Sequence, residues 1–200
     1  MSAPSRWSSY YKNTAGRPPR PTLLRALDGF ARPGFAVDLG SGDGRDTVEI
    51  LRRGWSVLAI DAEPEAIERL LARPDLPNPD KLQTKVARFE DADWPQADLV
   101  NASFALFFCT ADRFPPLWRK IVASLKPGGR FAGHLIGPRD SWAARRDIVA
   151  LDDAAVDALI GDLIVERRDV EEDDSVTPRG EAKHWHIHHL VLRKPPQNLG

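Results

Sequence analysis

The chain has 200 residues, 42% of them hydrophobic, enough for one substantial core and, by length, for a single domain over 1–200. Its 28 Lys and Arg against 29 Asp and Glu leave a formal net charge of -1, which excludes a global pull toward phosphate backbones and argues against nucleic acid as a partner. The single cysteine, Cys109, excludes an intramolecular disulfide. With no apolar leader after MSAPSRWSSYYKN and no run near the ~20 apolar residues of a membrane span, a cytoplasmic protein is expected.

Residues 1–21 mix Trp7, Tyr10, Tyr11, Lys12 and Arg17 with Pro4, Pro18, Pro19 and Pro21, so one continuous helix is excluded and an arm or lid is expected. Leu23, Leu24, Leu27 and Phe30 fit one face of a short helix with Thr22 placed to cap it. Phe35 to Leu39 predicts a buried strand, Asp46 to Arg53 a helix, and WSVLAID a second strand, making a βαβ unit. A helix from Pro64 to Arg73, a proline-rich connection and a third strand, KLQTKVARF, follow. ADLVNASFALFF predicts a fourth strand running into a loop; PPLWRKIVASL predicts a helix stopped by KPGG, and RFAGHLI a fifth strand. A capped helix from Asp152 to Ile160 precedes strands LIVERRDVEE and HWHIHHLVLRK, joined by the polar DDSVTPRG. The expected fold is α/β: a doubly wound, mostly parallel seven-stranded sheet with an antiparallel C-terminal hairpin, with ligands beyond the carboxyl ends of the strands.

The stretch AVDLGSGDGRDT lies at such an end. Gly40, Gly42 and Gly44 bare the backbone where strand turns into helix, but neither phase of the G-x-G-x-x-G dinucleotide fingerprint fits, because Arg45 or Thr47 stands at the third glycine. No Lys-Ser or Lys-Thr pair makes a phosphate loop. A structural turn, with Asp46 complementing the helix dipole, is the simplest alternative.

With Asp38 before the glycines and Asp61 ending the next strand, the chain resembles the class I S-adenosylmethionine-dependent methyltransferases, from Thr22 through the final hairpin. YYKNT, NASFALFF, GPRDSW and KHWHIHHLVLRK resemble the small bacterial enzymes grouped with tellurite-resistance methyltransferases. The resemblance implies the Rossmann-like methyltransferase fold and S-adenosyl-L-methionine as cofactor, with S-adenosyl-L-homocysteine as product. It also implies that Gly40, Ser41, Gly42 and Gly44 lie against the cofactor, that Asp38 helps hold its ammonium, and that Asp61, followed by Ala62, takes the ribose hydroxyls. The adenine contact falls to Glu90, Asp91 or a backbone group, because Arg88 and Phe89 stand where the family often has an acid. Phe89 and Trp94 read either as covers for the ring or as packing. NASFAL departs from the Asn-Pro-Pro-aromatic motif of enzymes that methylate planar amines, which disfavours such substrates and leaves Asn101, Ser103 and Phe104 to line the methionine end and pocket. Arg17, then Lys12, are the candidate partners of the cofactor carboxylate.

For the acceptor, Tyr10, Tyr11, Phe104, His134, Arg139 and Trp142 are the candidate pocket residues. His134 reads either as a base for a hydroxyl or thiol or as a structural histidine; Arg139 either meets an anionic substrate or pairs with Asp140. In a strand, His184, His186 and His188 share one face and Trp185, Ile187 and His189 the other; three histidines suit zinc, yet no acid or cysteine ligand is spaced beside them, so no metal is expected. Cys109 has no activating partner in sequence and reads as a buried structural thiol. A methyl transfer to a small thiol, hydroxyl or chalcogen oxyanion is the reading; a nicotinamide-dependent oxidoreductase and a non-catalytic cofactor-binding module are the alternatives.

Overall fold

A computed structural model describes residues 7–14 and 16–197; the start of the arm, including Pro4, lies outside the described residues. The chain runs α1 (Ser8–Thr14), α2 (Pro21–Asp28), β1 (Phe35–Leu39), α3 (Arg45–Arg52), β2 (Ser56–Asp61), α4 (Pro64–Leu71), β3 (Leu82–Val86), β4 (Ala97–Ala102), α5 (Phe114–Ser124), β5 (Leu125–Ile136), α6 (Asp153–Ile160), β6 (Ile164–Val176) and β7 (Ala182–Arg193). Among the described residues seven strands form one sheet in the order β3-β2-β1-β4-β5-β7-β6, with β1 to β5 parallel and β7 antiparallel to both neighbours. The order reverses beside β1, which opens a crevice above the carboxyl ends of β1 and β4.

Alternation along the strands sends side chains to two cores. Val37, Leu39, Ile60, Val100, Phe131 and Leu190 pack with Trp118 and Ile121 of α5 and Val156 of α6. Ala36, Val57, Leu99, Ala132 and Val191 face the other way, onto Leu23 and Leu27 of α2 and Ile50 and Leu51 of α3. A third cluster, Phe107, Ile136, Ile148 and Ile187, sits beyond the end of β5 and carries Phe104, Phe108, Trp142 and Trp185 on its flank.

Three expectations change. Thr22 does not cap α2: Arg20 is the N-cap residue and Pro21 opens the helix, where a missing N–H costs nothing, so Thr22 lies inside, fully buried. KPGG does not stand apart from the fifth strand; β5 already begins at Leu125, and its partner β4 slips register between Ala97 and Leu99 to absorb the extra residues. The polar DDSV is strand rather than loop, because Asp174 pairs across from His184 and Glu172 from His186, giving the acids of an edge strand cross-strand partners.

Candidate active site

A cavity of about 630 Å3 opens at the carboxyl ends of β1, β2 and β4 and continues past β5 to the tip of the β6–β7 hairpin. Its floor is the glycine loop. The N–H groups of Gly40 and Ser41 both donate to the Ile60 carbonyl (2.8 and 3.1 Å), which ties the loop to β2. Gly40 (φ 68°) and Gly42 (φ 56°) sit in the left-handed region; a Cβ on Gly40 would come within 2.5 Å of Ala105, and one on Gly42 would point toward the Tyr11 ring in the cavity.

Two acids frame the loop. Asp61 ends β2 with each oxygen held by the backbone: Gly42 N–H donates to one (2.8 Å) and Glu63 N–H to the other (2.9 Å). Burial is the largest influence on it and raises its pKa, with those N–H groups opposing. Asp38 is buried in β1, accepting from Thr47 Oγ1 (2.5 Å) and Asn101 Nδ2 (2.8 Å). Asn101 also donates to Asp46 (3.2 Å), so two carboxylates share one amide; burial first, then the Asp46 charge, push Asp38 up to about 7.

At the β3 side, Phe89 and Glu90 line the cavity, and Glu90 keeps one buried oxygen without a partner while Arg88 takes the other (2.6 Å). Asp91 is not beside it: the side chain is exposed and ion-paired to Arg113. Trp94 also lies away from the cavity, donating to Ser124. Burial, then Glu90, push the Cys109 thiol up to about 12, so it is an inert packed group.

Ser41, Gly42, Ala62, Ser103, Tyr10, Tyr11, Phe104, Trp142 and the exposed Arg17 line the cavity as expected from sequence, as do Asp38, Gly40 and Asp61. Gly44 and Asn101 stand behind that lining, Gly44 as the N-cap of α3 and Asn101 as the amide that holds the two acids. Arg139 is on the wrong side: it makes a two-pronged ion pair with Glu172 (2.6 and 2.8 Å) in solvent, and Asp140 pairs instead with the buried Lys183. Lys12 is exposed and outside the lining.

Several cavity residues escaped the sequence reading. Arg20 holds its guanidinium 4.1 Å above the Phe104 ring, and Arg45 keeps a buried Nη1 without a partner while its Nε donates to Pro18 (2.6 Å). Both are nearer to buried positions than Arg17 and suit an anion better. Ser175 to Arg179 from the hairpin tip close the far side, tied to α1 where Asn13 donates to the Pro178 carbonyl (2.6 Å). No local motif announces these; only the fold brings the hairpin over the loop.

His134 lies on the cavity wall, 1% exposed, with Phe104 stacked on its face at 4.2 Å and Thr22 Oγ1 3.4 Å from Nε2. Phe104 adopts φ 54° to reach it. Burial, then the neighbouring His189, hold His134 well below the usual imidazole range. On β7 the face carrying Trp185 and His189 borders the cavity, whereas His186 and His188 point to the opposite side, near Arg139 and the Leu151 carbonyl. Among the described residues no group of three or more His, Cys, Asp or Glu is arranged to hold a metal ion.

Residues 36–129 match the family model described as a methyltransferase domain. Over that segment, from β1 to the first part of β5, the sequence is similar to methyltransferase domains. The fold is similar to TehB from Haemophilus influenzae, at a TM-score of 0.74 and 15% identity over 94% of this chain; the chain spans 65% of the length of that one. It is also similar to 1,6-didemethyltoxoflavin-N1-methyltransferase from Burkholderia thailandensis, bound to 1,6-didemethyltoxoflavin and S-adenosylhomocysteine (TM-score 0.68, 18% identity, 98% of this chain and 93% of that). N-methyltransferase NodS from Bradyrhizobium japonicum, in complex with S-adenosylhomocysteine, aligns at 0.69 with 17% identity, over 94% and 98% of the two chains. No curated protein matches the sequence. The matched segment contains the glycine loop, Asp38, Asp61 and Glu90, and stops before His134 and the hairpin.

Proposed function

We propose that the protein transfers a methyl group from S-adenosylmethionine to a small-molecule acceptor, a thiol, a hydroxyl or a chalcogen oxyanion, as one cytoplasmic domain in which residues 1–21 act as an arm. The observation that carries this reading is Asp61, both oxygens aligned by backbone N–H groups at the edge of a bare glycine loop, an arrangement suited to accepting from two neighbouring hydroxyls. Other features fit the same ligand. Ser41 Oγ is buried without a partner on the cavity wall, Arg45 Nη1 is likewise unpaired for a carboxylate, and the Asp38–Asp46 pair favours a cation.

When bound, the cofactor supplies a methyl carbon activated by a positive sulfur. The chain's part is positional. Asp61 and the glycine loop orient the nucleoside, Asp38 receives the ammonium, Arg45 and Arg20 face the carboxylate, and Glu90 offers its unpaired oxygen toward the base. Tyr10 and Tyr11 of α1 close over the loop and exclude water, which in-line transfer requires. The buried pair Asp38 and Asp46 gives no role to a phosphate there, which counts against a nicotinamide dinucleotide.

Calorimetric titration with S-adenosylmethionine and with NAD tests this directly. Micromolar binding of the former and none of the latter is expected; binding of NAD alone would overturn the reading. Conversion to S-adenosylhomocysteine with thiols, hydroxyls and tellurium or selenium oxyanions then separates an enzyme from a binding module, which would bind and never turn over.

A further inference from the structure

One row of side chains along the acceptor side of the cavity has no part in holding the cofactor. On three adjacent strands, His134 of β5 sits directly opposite His189 of β7, and Glu171 of β6 lies diagonally across from His189 on the same face. All three line the cavity. The two imidazoles meet edge to face at 4.9 Å, and His189 Nε2 is 2.9 Å from Glu171 Oε2.

The two histidines are not equivalent. His134 is enclosed by Phe104, Thr22 and His189, so a positive charge there has no counter-ion; Arg20, Arg167 and Arg45 add to the penalty. His189 is partly open, with a side chain 16% exposed, and has a carboxylate on one nitrogen. Burial lowers its proton affinity below the ordinary value, so the ring is a neutral base near pH 7, while Glu171 works in the opposite direction and supports the imidazolium once formed. The other charged groups facing it are Arg167 and Asp169 of β6, which pair with each other, and His134 of β5.

Beside this row lies the aromatic flank of the third cluster, Phe104, Phe108, Trp142 and Trp185, with the buried Phe107 behind it, at the same end of the cavity. Such a wall suits a planar aromatic ligand by stacking and edge contacts. We infer that His189, held by Glu171, is the proton acceptor of methyl transfer, and that the acceptor is a planar aromatic molecule presenting a hydroxyl. The inference rests on the methyltransferase reading above. As the hydroxyl oxygen forms its bond to the methyl carbon, the carbon–sulfur bond breaks and sulfur keeps the pair, leaving neutral S-adenosylhomocysteine. The hydroxyl proton passes to Nδ1 of His189, the nitrogen Glu171 does not engage, and is later released to water.

The test uses the whole protein saturated with S-adenosylhomocysteine and 4-nitrophenol as a chromogenic probe, at a pH below the probe's own pKa. Bound probe should show the phenolate band several-fold above its fraction in free solution, and the histidine ring resonances should show one imidazolium formed. In His189→Asn the bound probe should stay protonated; in Glu171→Gln, an exposed position where folding is safe, the phenolate fraction should fall to an intermediate value. Failure of the probe to saturate the site, or the same phenolate fraction in the variants as in the wild type, overturns the inference. If S-adenosylhomocysteine itself does not bind the wild-type protein, the methyltransferase reading fails first and takes this one with it.

Discussion

The two ends of the cavity are built by different means. The end proposed for the cofactor is made from residues close in sequence, Asp38 to Asp46 and Asp61 to Glu63, on neighbouring strands, with Asp61 fixed by backbone N–H groups and Asp38 by the Thr47 and Asn101 side chains. The acceptor end is made from α1, the turn after β4, β5 and the hairpin, which meet only once the sheet is complete. The first is tied together by bonds within and beside the glycine loop, several of them to the backbone. The second is a wall of side chains, adjustable by substitution without disturbing the loop.

The largest expected effect separates these ends most sharply. Asp61→Ala removes charge-assisted bonds to the ligand and should weaken S-adenosylmethionine by ~10–100-fold, the equivalent of about 1.5–3 kcal/mol. Calorimetry would show it, while 4-nitrophenol affinity should move little; equal losses at both ends would collapse the distinction.

Asp38 gives a pH-dependent version of the same test. Its carboxyl is raised from the ordinary value of 3.8 to about 7 by burial and Asp46, so the empty protein keeps it protonated where the unfolded chain does not. Folding stability from this group therefore falls as pH rises from about 4 to about 7. A cationic ligand needs the ionised form, so cofactor affinity should rise over the upper part of that window. Asp38→Asn should flatten the affinity profile and raise the Tm of the empty protein at pH 8 by ~2–4 °C, about 1 kcal/mol. A parallel pH profile in the variant would remove Asp38 from the cofactor site.

Smaller effects probe the acceptor end. Asn13→Ala cuts the bond from α1 to Pro178 and should raise the KM for the acceptor by ~2–5-fold, from a hydrogen bond of about 0.5–1 kcal/mol, with S-adenosylmethionine affinity unchanged. Arg139→Ala should change neither Tm nor turnover, since the guanidinium lies in solvent with Glu172; a loss of acceptor affinity would return Arg139 to the pocket.

Sequence reading succeeded where chemistry is local. Asp38, Gly40, Gly42 and Asp61, close along the chain, do meet around one cavity, and strand alternation named Trp185 and His189 as one face of β7. It faltered where partners are distant. Arg139 looks like a pocket residue beside Asp140, but the choice between Asp140 and Glu172 depends on β6 lying next to β7. Asp91 is adjacent to Glu90, yet a turn sends it to Arg113, the N-cap residue of α5. Arg20 precedes a helix and shows no signal; its place above Phe104 follows from how α2 packs on β5.

Phe104 carries a further consequence. Its left-handed backbone costs on the order of 1 kcal/mol, which a glycine at that turn would recover. The ring nevertheless covers His134 on one side and bears the Arg20 guanidinium on the other, so it bridges the two ends of the cavity. Selection for stability alone would favour replacing it. Engineering for heat tolerance at this turn should therefore give a sturdier fold that has lost the ring standing between the two ends of the cavity.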